Sequence, residues 1–559
     1  MSNHVNSIAK LEALLALIAM CFCATPSMSA QSAANQIPVP LPPMGWSSWN
    51  SFSNTVDSQI TLAQAKAMIS TGMHRAGYEY INIDEGWWLG ERDKDGNIVV
   101  DPKAWPALAP GEQAGDMANI VRAIHGLGLK AGIYTDAGAD GCSTVGPDLG
   151  PSYPHTGSEG HYEQDFLQFS KWGFDYVKVD WCGGDREHLD PAVQYAEIAE
   201  AIARAESITG HHLYFSICNW GNQSPWTWAP NIGGVAADVW RTGGDIVAPI
   251  VANTKNADRK ASFKEVLREF DQAQHPDAQH TGFYNDPDMM VVGMSGLTEQ
   301  QSQAHMSLWA ISGGPLLVGA DLSRLSATDV ATLTNSDVVR IDQDSLGLQS
   351  IKVAEAAPGL EVWAKPLSTS GVRAVLLLNR TASAAKISVR WSDLALRDDS
   401  SATVRDVWAQ NDSGKFNSSY SATVPAADAV LLIVKGSESK ATTYFPEELK
   451  SKEPGRNSTS KRGVTLGKNQ LVTFSSVESR FAVARIQIAY SNPDKAPRYA
   501  ELRVNGRIAT RIAFPSTGGN GATGTLSVES RLETNGARNV LTFSAACYPG
   551  PAIQSISLQ

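Results

Sequence analysis

The stretch "YVKVDWC", Tyr176 to Cys182, decides how the long N-terminal part of this chain is read. It alternates like a buried strand and then ends on a carboxylate. Strand side chains two apart share a face, so Lys178 and Asp180 project together into whatever space the C-terminal end of the strand overlooks. A structural ion pair and a catalytic acid held beside a ligand-binding lysine both satisfy that pattern, and the stretch alone does not choose between them.

Outward from it, from about residue 40 to 345, strand-like and helical patterns alternate. The strand-like runs are "PPMGWSSW", "YEYINIDEGWW", "LKAGIYTD", "YVKVDWC", "HLYFSIC", "VWRTGGDI", "YNDPDMMVV" and "PLLVGA". Helical patterns lie between most of them, among them "TLAQAKAMISTGMHRAG", with Gly77 as its C-terminal stop, "GDMANIVRAIHGLG" and "PAVQYAEIAEAIARAES". Eight such strands predict a (β/α)₈ barrel, an α/β fold, over 37–345 rather than an open doubly wound sheet. No glycine-rich phosphate fingerprint follows the first strand, which weakens a dinucleotide-binding reading. After residue 346 the texture changes to short strands at regular spacing, such as "VRAVLLLNR" and "AVLLIVKG", which predict an antiparallel β sandwich over 346–437. A polar linker is expected over 438–461, and a second β-sandwich domain over 462–559.

The chain has 559 residues, with 46 Lys and Arg against 57 Asp and Glu, a formal charge of −11. That balance argues against nucleic acid or an anionic membrane as partner. Residues 1–30 read as an export signal: Lys10, then the apolar run "LEALLALIAMCFCA", then the small residues "TPSMSA". The run is too short to span a membrane, and bulky Met20 and Phe22 before Cys21 and Cys23 disfavour a lipid anchor. The mature protein is therefore expected to be soluble and secreted or periplasmic. Export also permits disulfides between the remaining cysteines Cys142, Cys182, Cys218 and Cys547.

Chemistry in a (β/α)₈ barrel sits at the C-terminal strand ends. The residues there are Trp46; Asp84 and Glu85; Tyr134 and Asp136; Lys178 and Asp180; Cys218 and Asn219; Arg241 and Asp245; Asp286 and Asp288. Carboxylates crowd this ring, with two cations and several aromatics. Histidine is scarce in it, which argues against a transition metal and leaves an oxygen-liganded Mg²⁺ or Ca²⁺ open. Phosphoryl transfer lacks its glycine-rich cradle. Glycoside hydrolysis, with two acids across a sugar, hydroxyl-binding groups and aromatic platforms, matches best.

In order along the chain, "PPMGWSSWNSF", "YEYINIDEGWW", "GIYTD", "VKVDWC", "CNWG", "WRTGGDI", "NDPDM" and "RIDQDSLGLQ" resemble glycoside hydrolase family 27, the α-galactosidase or melibiase family. The likeness runs from residue 40 to about 436. It implies a cofactor-free retaining exo-glycosidase without a metal site, with Asp180 as nucleophile and Asp245 as general acid/base. Lys178 favours an ionised Asp180, whereas Gly243, Gly244 and Ile246 supply no charge to Asp245. The resemblance further implies Trp46 as an aromatic wall, Tyr134 beside the nucleophile, and Arg241 and Asp288 on the sugar. Cys218 and Trp220 would crowd the 2-position and exclude an N-acetyl group. Cys142 and Cys182 would form a disulfide near the site, and Cys547 would be reduced and buried.

The sequence departs from the family in three places. Asp84–Glu85 stands for a pair of aspartates that grip the 4- and 6-hydroxyls. Its extra methylene either extends toward the space of the C6 group, favouring L-arabinopyranosides, or folds back and serves galactose. Asn219 replaces a common glutamate near the 2-hydroxyl, and Tyr284 stands for a Trp in wall packing. The expected partners are galactosides, or else arabinopyranosides, with the oligomeric state left open. The alternatives are a β-L-arabinopyranosidase of the same mechanism and, in a different class, a non-catalytic carbohydrate-binding protein on a degenerate barrel. The last domain, through "YAELRVNG", "NVLTF" and "IQSISLQ", resembles β-sandwich carbohydrate-binding modules.

Overall fold

The computed structural model describes residues 39–144, 156–230, 237–248, 259–447, 463–467, 470–545 and 549–558. The export segment, Cys547 and most of the expected linker lie outside these residues. Among those described, no helix is long and apolar enough to cross a membrane.

The barrel strands are β1 (Met44–Ser47), β2 (Tyr80–Asn82), β3 (Lys130–Asp136), β4 (Tyr176–Asp180), β5 (Tyr214–Cys218), β6 (Val239–Arg241), β7 (Tyr284–Asp286) and β8 (Leu316–Val318). They form one eight-stranded parallel sheet in chain order, with β8 returning to pair with β1. The gap between β7 and β8 is bridged by Met290, opposite Val318. Its N–H donates to the Leu317 carbonyl (2.7 Å), and its carbonyl accepts from Gly319 (2.9 Å).

Strand alternation explains the opening stretch. Tyr80, Tyr176, Tyr214, Val239 and Tyr284, each the first residue of its strand, pack together as a buried layer inside the ring. Two residues on come Asn82, Lys178, Ser216, Arg241 and Asp286, which line a recess above that layer. Ile81, Val177, Val179, Phe215 and Ile217 have the opposite parity and join the main core that also takes in the helices. Tyr284 thus belongs to the floor of the barrel, its hydroxyl donating to the Pro40 carbonyl (2.9 Å). The expected place in the wall of the site is corrected, because the first residue of a barrel strand lies at the end away from the chemistry.

The helix expected to run to Gly77 is broken. Ser58–Ser70 is capped by Asp57, whose carboxylate accepts from Ile60 N–H (2.7 Å). Gly72, at φ 87°, ends it, and a short turn Met73–Ala76 then stops at Gly77, φ 113°. Helix Pro191–Thr209 keeps both signals, Asp190 and Pro191 at its start and Gly210 at its end.

Beyond the barrel, a six-stranded antiparallel sheet faces a two-stranded one around Val375, Leu377, Val389 and Leu432. Strand Val372–Asn379 is buried on both faces. Ala374, Leu376 and Leu378 join the barrel's core while Val375 and Leu377 fill the sandwich, which is why it reads as an unbroken apolar run. The last domain stacks a five-stranded on a four-stranded antiparallel sheet with its own core, including Phe474, Ile488, Leu502 and Phe543. Part of the stretch expected as linker, Thr442–Tyr444, is a strand paired with the closing strand Ala552–Leu558.

Candidate active site

Lys178 and Asp180 do point the same way, into the barrel mouth. Lys178 Nζ lies 2.9 Å from Asp84 Oδ2 and 3.6 Å from Asp180 Oδ2. Burial pulls the pKa of the ammonium down, but Asp84 leads the charges that outweigh it and hold that pKa well above the ordinary value. Asp84 is fixed in turn by Ser47 Oγ (3.3 Å), and its own N–H donates to Ser48 Oγ (2.9 Å). Asp180 accepts the Trp181 N–H at Oδ1 (3.0 Å). Burial pushes its pKa up to about 6; Lys178 opposes that, and the charges of Asp245 and Asp84 add to it.

Across the mouth, Arg241 is buried between Asp288 (Nη1 to Oδ1, 3.0 Å) and Asp245 (Nη2 to Oδ1, 3.3 Å). The guanidinium thus supplies Asp245 with a charge that its sequence neighbours lack. The two expected catalytic acids differ sharply in access: the Asp245 side chain is 65% exposed, that of Asp180 only 7%. Asp288 sits at φ 80°, a left-handed conformation that is costly for a non-glycine residue, and its Oδ2 accepts from Ile246 N–H (2.7 Å). Burial raises its pKa to about 6 against the pull of Arg241.

The remaining expected residues fall into place unevenly. Tyr134 lies under Lys178, whose Nζ is 5.2 Å from the ring centre, and its buried hydroxyl has no hydrogen-bond partner among the described residues. Cys218 is a free, buried thiol 3.7 Å from Arg241 Nη1, and it lines the recess. Asn219 is buried and donates Nδ2 to the Asn222 carbonyl (2.8 Å). Trp220 is half-buried in a loop where its φ is 56°. Trp46 does not fit its expected role. It pairs in register with outward-facing Ile81, is 0% exposed, and spends its indole N–H on the Ala320 carbonyl (3.0 Å). A sugar platform needs an open face, and at this strand end the half-buried Trp49, which opens the helix Trp49–Phe52, is the tryptophan that has exposed surface. The sequence contains that signal, since "GWSSW" offers both rings.

Glu85 resolves toward folding back. Its carboxylate turns to the loop after β3, where Ser143 N–H lies 2.9 Å from each oxygen, and it is fully buried. Burial raises its pKa to about 8. Cys142 and Cys182 are joined by a disulfide that fastens this same loop to the end of β4. Asp136, noted at the strand end but given no role there, reinforces the tie. Its Oδ1 accepts from Gly138 N–H (2.7 Å) and Gly183 N–H (3.0 Å). Ligand atoms of Asp136, Cys142, Asp180 and Cys182 lie within 4.8 Å of one another, but both sulfurs are committed to each other.

A parallel eight-stranded ring with two acids of unequal access, a lysine and an arginine at its C-terminal mouth defines a barrel hydrolase of the glycoside-cleaving class. The family described as Alpha galactosidase A matches residues 41–344. The Alpha galactosidase C-terminal beta sandwich domain matches 357–434, and the Alpha-galactosidase CBM13 domain matches 472–558. The chain belongs to this melibiase family, glycoside hydrolase family 27. It is 41% identical over 358 residues to Alpha-galactosidase A of Cellvibrio japonicus, covering 64% of this chain and 80% of the relative. The crystal structure of alpha-galactosidase I from Mortierella vinacea superposes with a TM-score of 0.61 at 28% identity, over 73% of this chain and all of that one. A β-L-arabinopyranosidase from Geobacillus stearothermophilus superposes with TM-score 0.60 at 20% identity, over 72% and 98% of the two chains, a likeness of fold alone.

Proposed function

We propose that the chain is a retaining exo-α-galactosidase that removes terminal, non-reducing α-D-galactosyl groups. The observation that carries this reading is the pair of unequal acids: Asp180 enclosed beside a charged lysine, and Asp245 open to solvent, close enough for their charges to interact. Asp180 attacks the anomeric carbon while Asp245 gives its proton to the departing oxygen. The C–O bond to the aglycone breaks and a galactosyl–Asp180 ester forms. Asp245, now a base, takes a proton from water as that water attacks the same carbon and releases Asp180. Lys178 keeps the nucleophile ionised. Arg241, Asp84 and Asp288 offer donors and acceptors for hydroxyl groups, and Cys218, Asn219 and Trp220 border the 2-position.

Galactose is favoured over L-arabinopyranose by Glu85. Its extra methylene is taken up in reaching Ser143, and the carboxylate is turned to that loop and fully buried. The curated relatives at 41 and 36% identity are named Alpha-galactosidase A and Alpha-galactosidase 2. The C-terminal match to a CBM13-type domain supports carbohydrate contact there, and the apolar N-terminal run together with a disulfide supports export.

The test is hydrolysis of 4-nitrophenyl α-D-galactopyranoside beside the β-L-arabinopyranoside, with wild type and Asp180→Asn. A higher kcat/KM for the galactoside, lost by about 10³-fold or more in the folded Asn variant, is expected. Normal turnover by that variant would end the reading, and preference for the arabinoside would install the alternative.

A further inference from the structure

Asp245 lies on the loop that leaves β6 at Arg241, and the loop's backbone is held from two sides. From inside the barrel, Thr242 donates its N–H (3.1 Å) and Oγ1 (3.0 Å) to the Asp286 carbonyl. Ile246 N–H donates to Asp288 (2.7 Å), and Arg241 Nη2 donates to the Gly243 carbonyl (3.1 Å). From outside comes a helix, Phe263–Gln272, started by Ser262, whose hydroxyl accepts from Glu265 N–H (3.2 Å). On it, Arg268 donates Nη2 to the carbonyl of Asp245 itself at 2.8 Å.

The arm that reaches Asp245 is itself built. Arg268 Nε donates to Glu265 Oε2 (2.8 Å), Nη1 donates to Gln272 Oε1 (3.1 Å), and a salt bridge joins the guanidinium to buried Glu269. The loop also lies directly on this helix. A Cβ placed on Gly243 would stand 2.2 Å from Gln272 Oε1 and 3.0 Å from Glu269 Oε2, so a larger residue there would push these two side chains aside. Neither Arg268 nor Glu269 belongs to the ring of strand-end residues.

We propose that Arg268 is a positioning residue for the general acid, setting the direction of the Asp245 carboxyl through its backbone. The proposal rests on Asp245 acting as acid/base. Apart from the contact of its Oδ1 with Arg241 Nη2 (3.3 Å), a side chain two thirds exposed has little packing to orient it, so much of its aim comes from the backbone that carries it. Arg268 contributes a charge-assisted hydrogen bond on that same residue, from an arm whose Nε and Nη1 already have partners of their own. Proton transfer fails when the acid drifts out of hydrogen-bond reach of the leaving oxygen, and a misplacement of about 1 Å is enough to cost on the order of 10²-fold.

The readout that separates positioning from mere stability is the leaving group. An alkyl galactoside needs its departing oxygen protonated, whereas a dinitrophenyl galactoside does not. Full-length Arg268→Met is expected to lose about 10- to 100-fold in kcat/KM on methyl α-galactoside and no more than a few-fold on the 2,4-dinitrophenyl substrate. Arg268→Lys, which keeps the charge and one donor, is expected to fall between and covers the case in which the Met variant does not fold. An equal loss on both substrates, or an unchanged methyl galactoside rate in either folded variant, would overturn the proposal. Asp245→Asn is the control. If it hydrolyses methyl α-galactoside normally, the acid/base reading itself falls and takes this proposal with it. If it shows the selective loss while Arg268 variants do not, only the positioning role is refuted.

Discussion

Asp180 owes its chemistry to one neighbour. Burial pushes its pKa up to about 6, and Lys178 is the leading influence pulling it down. The nucleophile must be ionised, so kcat/KM is expected to fall as pH drops through about 6. Replacing Lys178 with Met removes the cation, raises the Asp180 pKa and moves that acid limb to higher pH, which a pH profile of 4-nitrophenyl α-galactoside hydrolysis would show. A limb that stays in place would mean that Lys178 does not tune the nucleophile. Asp180 was legible in the sequence because a period of two puts a lysine and an acid on one face. Which of the two rings in "GWSSW" keeps an open face was not. Trp46 and Trp49 differ in role only through burial, and burial depends on Ala320, far away in the chain. Arg268 was equally hidden, because within "FKEVLREFDQ" it looks like any surface charge spaced for helix pairs with Glu265 and Gln272.

Among elements, the ends of β3 and β4 act as one unit. The disulfide Cys142–Cys182, the bonds from Gly138 and Gly183 to Asp136, and the bond from Ala137 N–H to the Asp180 carbonyl (2.9 Å) all cross the same seam. Cys142 and Cys182 are separated by 40 residues, so loop-closure entropy assigns the bridge about 4 kcal/mol of stability. The Cys142→Ser/Cys182→Ser double variant is expected to unfold at a clearly lower denaturant concentration, with activity falling alongside because the seam carries the nucleophile. An unchanged midpoint would show that the hydrogen bonds alone hold the seam. The strands themselves were readable as eight apolar runs, and helix Pro191–Thr209 by its periodic pattern. The break at Gly72 was missed because Gly77, five residues on, carries the same stop signal.

For the whole molecule, pH enters through buried acids and histidines. Glu85 and Glu529 are both raised by burial to about 8, so the folded state keeps protons that the unfolded chain releases above its ordinary value of 4.5. Stability is therefore lost as pH rises from about 4.5 through 8. His275 and His280, lowered by burial to about 4 from 6.5, act in the opposite sense and cost stability as pH falls below 6.5. Above 6.5 the acids' slope remains, joined in the same sense by His212, which, against the pull of burial, Glu206 and Asp238 raise to about 9, so Tm is expected to fall between pH 6.5 and 8, and less steeply in Glu529→Gln. A flat or rising Tm over that range would refute the assignment. Tertiary contacts also tie the last domain to the barrel, through His280 Nε2 and Thr510 Oγ1 (2.8 Å), Arg531 and Asp277 (3.0 Å), and Ala513 within the barrel's core. By itself the sequence determined the strand count, the β-rich C-terminal half and the ring of strand-end acids, because side-chain periodicity is local and survives without a partner. Which tryptophan keeps an open face, which way Glu85 turns, and what holds Asp245 from behind were decided only by tertiary structure. Each depends on burial and on groups brought from distant parts of the chain, and no local pattern encodes either.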